Sequence, residues 1–243
     1  MARWNASGAR HAGLSSAGLP VVREDRSPSK PPVTLARAAH EPHLVYHTSK
    51  RFLDISLSLA FLLFAIPILT LACAAILLST RQSPLLVQRR VGLLGREFAM
   101  LKLRTMAHGA EDQPLDEPAA EAGEVITAKA PDDPRVTPVG RLLRRTSIDE
   151  LPQLLNVLAG QMTLVGPRPA LPAEVARYPH SWQRRLAVKP GLTGLWQVSG
   201  RSDVPPRRRT AMDRYYVRRR SLVFDCLILL RTFAATVSMR GAW

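Results

Sequence analysis

The sequence predicts an α-rich α+β fold: an apolar membrane-entering helix ahead of a small domain with a short β-hairpin and a C-terminal interfacial helix. Three observations predict it. Ile55 to Leu78 is a run of 24 residues without a charge, long enough to reach across a bilayer core. In residues 83–106, Leu85 to Val87 and Phe98 to Leu103 flank a turn from Gly92 to Gly95, as strands flank the turn of a hairpin. From residue 138 onward, short helical patterns are interrupted by Pro and Gly.

Residues 1–47 are rich in Ala, Ser, Pro and Arg, with no apolar period, and read as a disordered basic tail. The tail has no apolar stretch of the kind a secretory signal needs. Within the apolar run, Pro67 removes a backbone donor and kinks the helix. Residues 1–51 and 81–104 each carry a net charge of +5. A spanning helix normally concentrates Lys and Arg on its cytoplasmic side alone. Equal basic flanks favour a segment that enters, breaks at Pro67 and returns, while Pro also occurs in ordinary kinked spans. From the residues alone both topologies stay open.

Leu85 to Val87 and Phe98 to Leu103 form the hairpin strands. Residues 111–133 carry eight acids and one Lys, with three prolines, and read as a solvated loop. A helix is expected from Pro138 to about Arg145, a second from near Asp149 to Leu158, and a third over 172–187. Residues 166–172 and 189–201 read as ordered loops. Beyond Arg207 to Arg209 and Arg218 to Arg220, the stretch from Leu222 to Val237 forms a helix. Its Arg218, Ser221, Asp225, Thr232 and Thr236 make one narrow polar stripe, so it packs on the core or lies in a membrane interface.

Lys and Arg outnumber Asp and Glu by 34 to 19, giving the 243-residue chain +15. That excess calls for an anionic partner. Two cysteines, Cys73 and Cys226, exclude a disulfide framework and a cysteine-rich zinc site, and six scattered histidines argue against a histidine metal site. No Walker A loop, G-x-G-x-x-G or G-x-S-x-G is present.

Beyond the tail, Asp149-Glu150 is the one adjacent acidic pair among basic and apolar neighbours. Ser147-x-x-Glu150 matches a capping box, so the pair has a purely structural explanation. The functional reading is a carboxylate kept ionised by Arg144, Arg145 and a helix N-terminus, able to attack phosphorus or to hold Mg²⁺. Gly166-Pro167-Arg168-Pro169 presents a guanidinium between two stiff residues. Lys102 and Arg104 alternate with Leu101 and Leu103, and Lys189 opens a second Pro/Gly loop. Each loop alone is ordinary turn chemistry with a solvated charge.

In order along the chain stand Lys50-Arg51-Phe52-Leu53-Asp54, Arg90-Val91-Gly92, Lys102-Leu103-Arg104-Thr105-Met106 and Arg144-Arg145-Thr146-Ser147-Ile148-Asp149-Glu150-Leu151-Pro152-Gln153-Leu154. Asn156-Val157-Leu158, Gly166-Pro167-Arg168-Pro169, Pro190-Gly191-Leu192-Thr193-Gly194, Trp196-Gln197-Val198-Ser199-Gly200-Arg201 and Asp213-x-Tyr215-Tyr216-Val217 follow. Together they resemble the bacterial sugar transferases, the monotopic phosphoglycosyl transferases that start glycoconjugate assembly. The ending Arg240-Gly241-Ala242-Trp243 is similar to the exopolysaccharide branch.

The resemblance implies a tail over 1–47, a re-entrant membrane helix over 48–80 and a cytoplasmic catalytic domain over 81–243, on the inner face of the bacterial plasma membrane. It implies transfer of a sugar-1-phosphate from a UDP-sugar to undecaprenyl phosphate, with release of UMP. Asp149 is then the nucleophile that forms a phosphosugar–enzyme intermediate, Glu150 its partner, and Mg²⁺ sits at the dyad. Lys102, Arg104, Arg168, Lys189, Arg201 and Asp213 are the candidates for holding substrate phosphates. A homodimer and downstream glycosyltransferases are further candidate partners, and nucleic acid is not expected as one. The rival reading is a membrane-tethered nucleic-acid binder or scaffold, since Arg207 to Arg220 with two tyrosines would suit RNA. Three positions depart from the family pattern: Ile66 stands where Ser often precedes the membrane Pro, Leu103 where Phe is usual, and Gln161 where Asp is common.

Overall fold

The computed structural model describes residues 44–107, 109–110 and 133–238. The segment 1–43, nearly all of the acidic loop and the terminal Arg240 to Trp243 lie outside the described residues.

Helix α1 covers Leu44–Thr80 and begins inside the expected tail. It stays helical through Pro67, so the expected break is not an interruption of the helix. Thr70 Oγ1 donates to the Ile66 carbonyl at 2.9 Å, a back-bond that bends helices, at the turn where proline has no N–H to give. The burial of α1 is inverted relative to a soluble helix. Asp54, Ser58, Ala65, Ala72 and Ile76 are buried, while Phe52, Leu63, Phe64 and Leu71 are exposed. A long apolar helix with its large side chains outward lacks an aqueous explanation and suits a lipid environment.

Both ends of α1 pack on the same domain. Near the start, Asp54 accepts from Thr163 Oγ1 at 2.6 Å and from the Leu164 N–H at 3.0 Å. Arg51 donates to the Val157 and Leu158 carbonyls at 2.6 and 2.7 Å, satisfying groups that a helix C-terminus leaves free. Near the end, Ala72 and Ile76 pack with Leu103 and Leu143.

The hairpin forms as expected. Strands β1 (Leu85–Val91) and β2 (Glu97–Leu103) pair antiparallel, with Leu85 opposite Leu103 and Gln88 opposite Met100. A 3₁₀ turn over Leu93–Gly95 joins them. Helix α2 (Pro138–Thr146) is capped by Thr137, whose hydroxyl accepts from the Gly140 N–H at 2.9 Å. Ser147 then takes a left-handed conformation, φ 59°, and closes α2. Its side chain makes no N-cap bond, so the capping-box explanation for Glu150 fails. The helix expected from Asp149 to Leu158 is two pieces: a 3₁₀ turn over Ile148–Glu150 and helix α3 (Gln153–Leu158).

The single helix expected over 172–187 is likewise divided, into α4 (Pro172–Ala176) and a 3₁₀ segment, His180–Ala187, after Pro179. Just before the first expected loop lies β3 (Thr163–Val165), and within the second lies β4 (Gly191–Thr193), a parallel pair. Gly166 and Gly191 stand where these segments cross: a Cβ on Gly191 would collide with the backbone of Gly166. Helix α5 (Pro206–Arg219) follows, then α6 (Leu222–Ser238).

The main core joins Met100, Leu154, Val157, Met162, Leu164, Val165, Tyr216, Val217 and Ile228. Asn156 ties the hairpin to α3: its Nδ2 donates to the Ala99 carbonyl and its Oδ1 accepts from the Leu101 N–H. The same Nδ2 donates to Gln161 at 2.7 Å, so an amide at 161 fills the role of acceptor. Of the expected polar stripe, Thr232 and Thr236 are half-buried on α6, while Arg218 and Ser221 precede the helix and are exposed. Asp225 is fully buried and accepts from Tyr46, Lys50 and Tyr216, while Val223, Leu230 and Phe233 are exposed. Like α1, α6 turns its apolar side out.

Candidate active site

A cavity of about 790 Å³ opens between the hairpin, the 3₁₀ turn after α2, the loop after β3 and the loop after β4. The left-handed turn at Ser147 aims Asp149 into it. Asp149 is completely buried, and its Oδ2 lies 3.3 Å from Lys102 Nζ. Among the described residues neither Asp149 oxygen accepts a well-formed hydrogen bond. Glu150 Oε1 lies 3.4 Å from Arg168 Nη1.

Arg168 stands in a loop tied down at three successive carbonyls. Pro167 O accepts from the Gly191 N–H at 2.8 Å, Arg168 O from Arg185 Nη2 at 3.0 Å, and Pro169 O from Arg90 Nη1 at 3.3 Å. Arg90 reaches the loop from β1, with Gln88 bonded to its Nε and Nη2. Burial, and then the nearby Arg168, lower the Arg90 pKa to about 10. Arg209, folded over the Trp196 ring at 5.0 Å, is lowered by burial and then by Arg168. Arg201 is lowered by burial, against the opposing pull of Glu150. Several guanidiniums gathered around a single cavity make a receptor for polyanions. Among the lining residues, eight Lys and Arg face five Asp and Glu. The lining is also apolar in part, with Leu57 and Phe61 of α1 and Leu229 and Phe233 of α6.

The structure brings Asp149, Glu150, Lys102, Arg168, Arg201 and Asp213 to this one cavity. Asp213 is buried in an ion pair with Arg185 at 2.7 Å, and burial raises its pKa to about 6 against the pull of Arg185. Arg104 and Lys189 do not line the cavity. Arg104 lies past the end of β2, where its Nε donates to the Ser83 carbonyl at 3.0 Å. Lys189 lies near Arg51 and Asp54, its pKa lowered by burial and then by Arg51. Pro67 sits in α1, away from the lining. Sequence reading passed over Arg90, Arg185 and Arg209 as site residues. Arg90 had a signal, its place directly before Val91-Gly92. Arg185 and Arg209 lay among other arginines with nothing to set them apart.

Comparison with known proteins agrees with the geometry. An exopolysaccharide production protein ExoY of Sinorhizobium fredii is 41% identical over 200 residues, covering 80% of this chain and 88% of its own length. A UDP-glucose:undecaprenyl-phosphate glucose-1-phosphate transferase of Caulobacter vibrioides is 43% identical over 229 residues, 90% of this chain and 81% of its own. An undecaprenyl-phosphate galactose phosphotransferase of Salmonella typhimurium is 39% identical over 200 residues, 80% of this chain but 41% of that longer protein. The profile of one family matches residues 45–239, taking in the hairpin, the acidic dyad and nearly all of α1 and α6, and the chain is a transferase belonging to the bacterial sugar transferase family.

Proposed function

We propose that the protein transfers a sugar-1-phosphate from a UDP-sugar to undecaprenyl phosphate and so initiates exopolysaccharide synthesis. The observation that carries this reading is the buried Asp149, beside Lys102 and without a well-formed hydrogen bond among the described residues, in a cavity lined by both cationic and apolar side chains. The cationic side chains suit a nucleotide diphosphate and the acceptor phosphate, and the apolar ones suit a lipid tail.

In the first step an Asp149 oxygen attacks the sugar-bearing phosphorus. A P–O bond forms to the carboxylate, and the bond to the bridging oxygen breaks. UMP leaves with that oxygen and its electron pair. In the second step a phosphate oxygen of undecaprenyl phosphate attacks the same phosphorus, the acyl-phosphate bond breaks, and the Asp149 carboxylate is restored. Splitting the transfer in two lets the anionic substrates occupy the cavity in turn. Lys102 holds Asp149 in place, and Arg168 and Arg201 balance charge on the transferring group. The dyad fits Mg²⁺. No cluster of three His, Cys, Asp or Glu occurs among the described residues, but Mg²⁺ takes one or two carboxylates and completes its shell with phosphate and water. Asp149 and Glu150 would hold the ion, which would neutralise phosphate charge.

A re-entrant α1 is part of the proposal, supported by the packing of both its ends on one domain and by the equal flanking charge. That arrangement keeps the cavity at the cytoplasmic face of the plasma membrane. The nucleic-acid and scaffold readings draw no support from the family.

The test is UMP release by membrane fractions given UDP-glucose or UDP-galactose. Asp149→Asn keeps shape but loses the nucleophile, and is expected to abolish both UMP release and the labelled phosphosugar adduct on the protein. Near-wild-type release from Asp149→Asn would sink the nucleophile assignment.

A further inference from the structure

Arg185 is buried behind the Arg168 loop, and the proposed chemistry makes no use of it. It comes from the 3₁₀ segment His180–Ala187 and reaches three groups on three other parts of the chain. Its Nη1 donates to the Tyr178 hydroxyl at 2.8 Å, its Nη2 donates to the Arg168 carbonyl at 3.0 Å, and the same Nη2 lies 2.7 Å from Asp213 Oδ2 on α5. Burial lowers the Arg185 pKa, but Asp213, Tyr178 and Glu174 outweigh it, and the group stays charged.

The Arg168 backbone is therefore held by a cation whose own charge is matched elsewhere. A donor that is both charged and immobile fixes an acceptor more firmly than a neutral one. The Arg168 side chain is only part-buried and long, so where its guanidinium meets Glu150 depends on where its Cα is held. Pro167 and Pro169 stiffen the loop's internal angles but do not set its place against Glu150.

We propose that Arg185, clamped by Asp213 and Tyr178, is a positioning residue: it fixes the Arg168 backbone so that the Arg168 guanidinium meets Glu150 and the donor phosphate. Asp213 then acts through Arg185 and does not bind phosphate itself. This inference rests on the reading of Arg168 as a phosphate-balancing group.

A double-mutant cycle with UMP release as the readout tests it. Arg168→Ala leaves the carbonyl that Arg185 grips and removes only the side chain. It is expected to lower kcat by about 10- to 100-fold, the scale for losing one charged hydrogen-bonding partner. Arg185→Lys keeps the charge but cannot reach three partners, and is expected to lower kcat by about tenfold with the donor KM nearly unchanged. The double variant is expected to match Arg168→Ala alone within about threefold, because residues acting through one group do not add. Asp213→Asn, close in shape, is the second variant should Arg185→Lys fold poorly, with thermal melting as the check. It too is expected to lose nothing further in the Arg168→Ala background. Losses that multiply would overturn the positioning role, as would a wild-type kcat from both Arg185→Lys and Asp213→Asn. A wild-type kcat from Arg168→Ala would instead overturn the reading of Arg168, and the inference with it.

Discussion

At the scale of the residue, the chain's acids have separate duties that their sequence context does not disclose. Asp149 is buried against Lys102, Asp213 against Arg185, and Asp225 against two tyrosines and Lys50. Among the described residues Asp149 and Asp213 both lack a well-formed hydrogen bond, and of the two Asp149 also has an adjacent acid facing a second cation. Asp213 yields a pH prediction. Burial raises its folded pKa to about 6, above the ~3.9 of an unfolded chain. The folded protein thus binds this proton more tightly, and the contribution to stability rises as pH falls from about 6 towards 4. Relative to Asp213→Asn, the wild-type melting temperature is expected to gain as pH drops from 7 to 5. A difference that stays constant across that range would contradict it.

At the scale of the element, α1 and α6 share an inverted design, with polar and small residues inward and large apolar ones outward. For α1 the consequence is topological. If both ends stay on the domain's side, single cysteines replacing Leu44 and Arg89, in a background lacking Cys73 and Cys226, will both resist an impermeant thiol reagent in intact cells. Both positions are largely exposed, at 81% for Leu44 and 80% for the Arg89 side chain, so protection would come from the membrane and not from burial. Labelling at position 44 alone would mean a plain span. Pro67→Ala restores the backbone donor and is expected to shift part of the population towards that span, with reduced UMP release.

At the scale of the whole molecule, Asp225 joins the start of α1 to α5 and α6. Tyr46 and Lys50 approach from α1 at 2.9 and 2.8 Å, and Tyr216 from α5 at 2.7 Å. Asp225→Ala would leave the part-buried Lys50 ammonium and Tyr46 hydroxyl without this acceptor, while Tyr216 keeps the Val165 carbonyl, and is expected to destabilise the protein by roughly 3–5 kcal/mol. Denaturation in detergent would measure this, with Asp225→Asn losing less because it still accepts. A negligible loss from the alanine variant would mean that the three elements are held by apolar packing alone.

Regular, local patterns were legible in the sequence. The uncharged run made α1, two apolar runs around a Gly-bounded turn made the hairpin, and Thr137-Pro138 started α2 where expected. Periodicity and turn chemistry act over a few residues, so they survive in the linear chain. The dyad too stood out, as an acidic pair in a basic setting, and its motif context named the family. What the linear chain could not carry were contacts between distant segments. Ser147 matches a capping box by spacing, yet its left-handed turn ends a helix and swings Asp149 into the cavity. The β3–β4 pair joins residues 163–165 to 191–193, and three-residue strands leave no periodic signal. Which arginines face the cavity was decided by folding alone: Arg90, Arg185 and Arg209 enter it, while Arg104 and Lys189 do not line it. Charge at a site sums over whatever the tertiary structure gathers there, and sequence separation does not limit that sum.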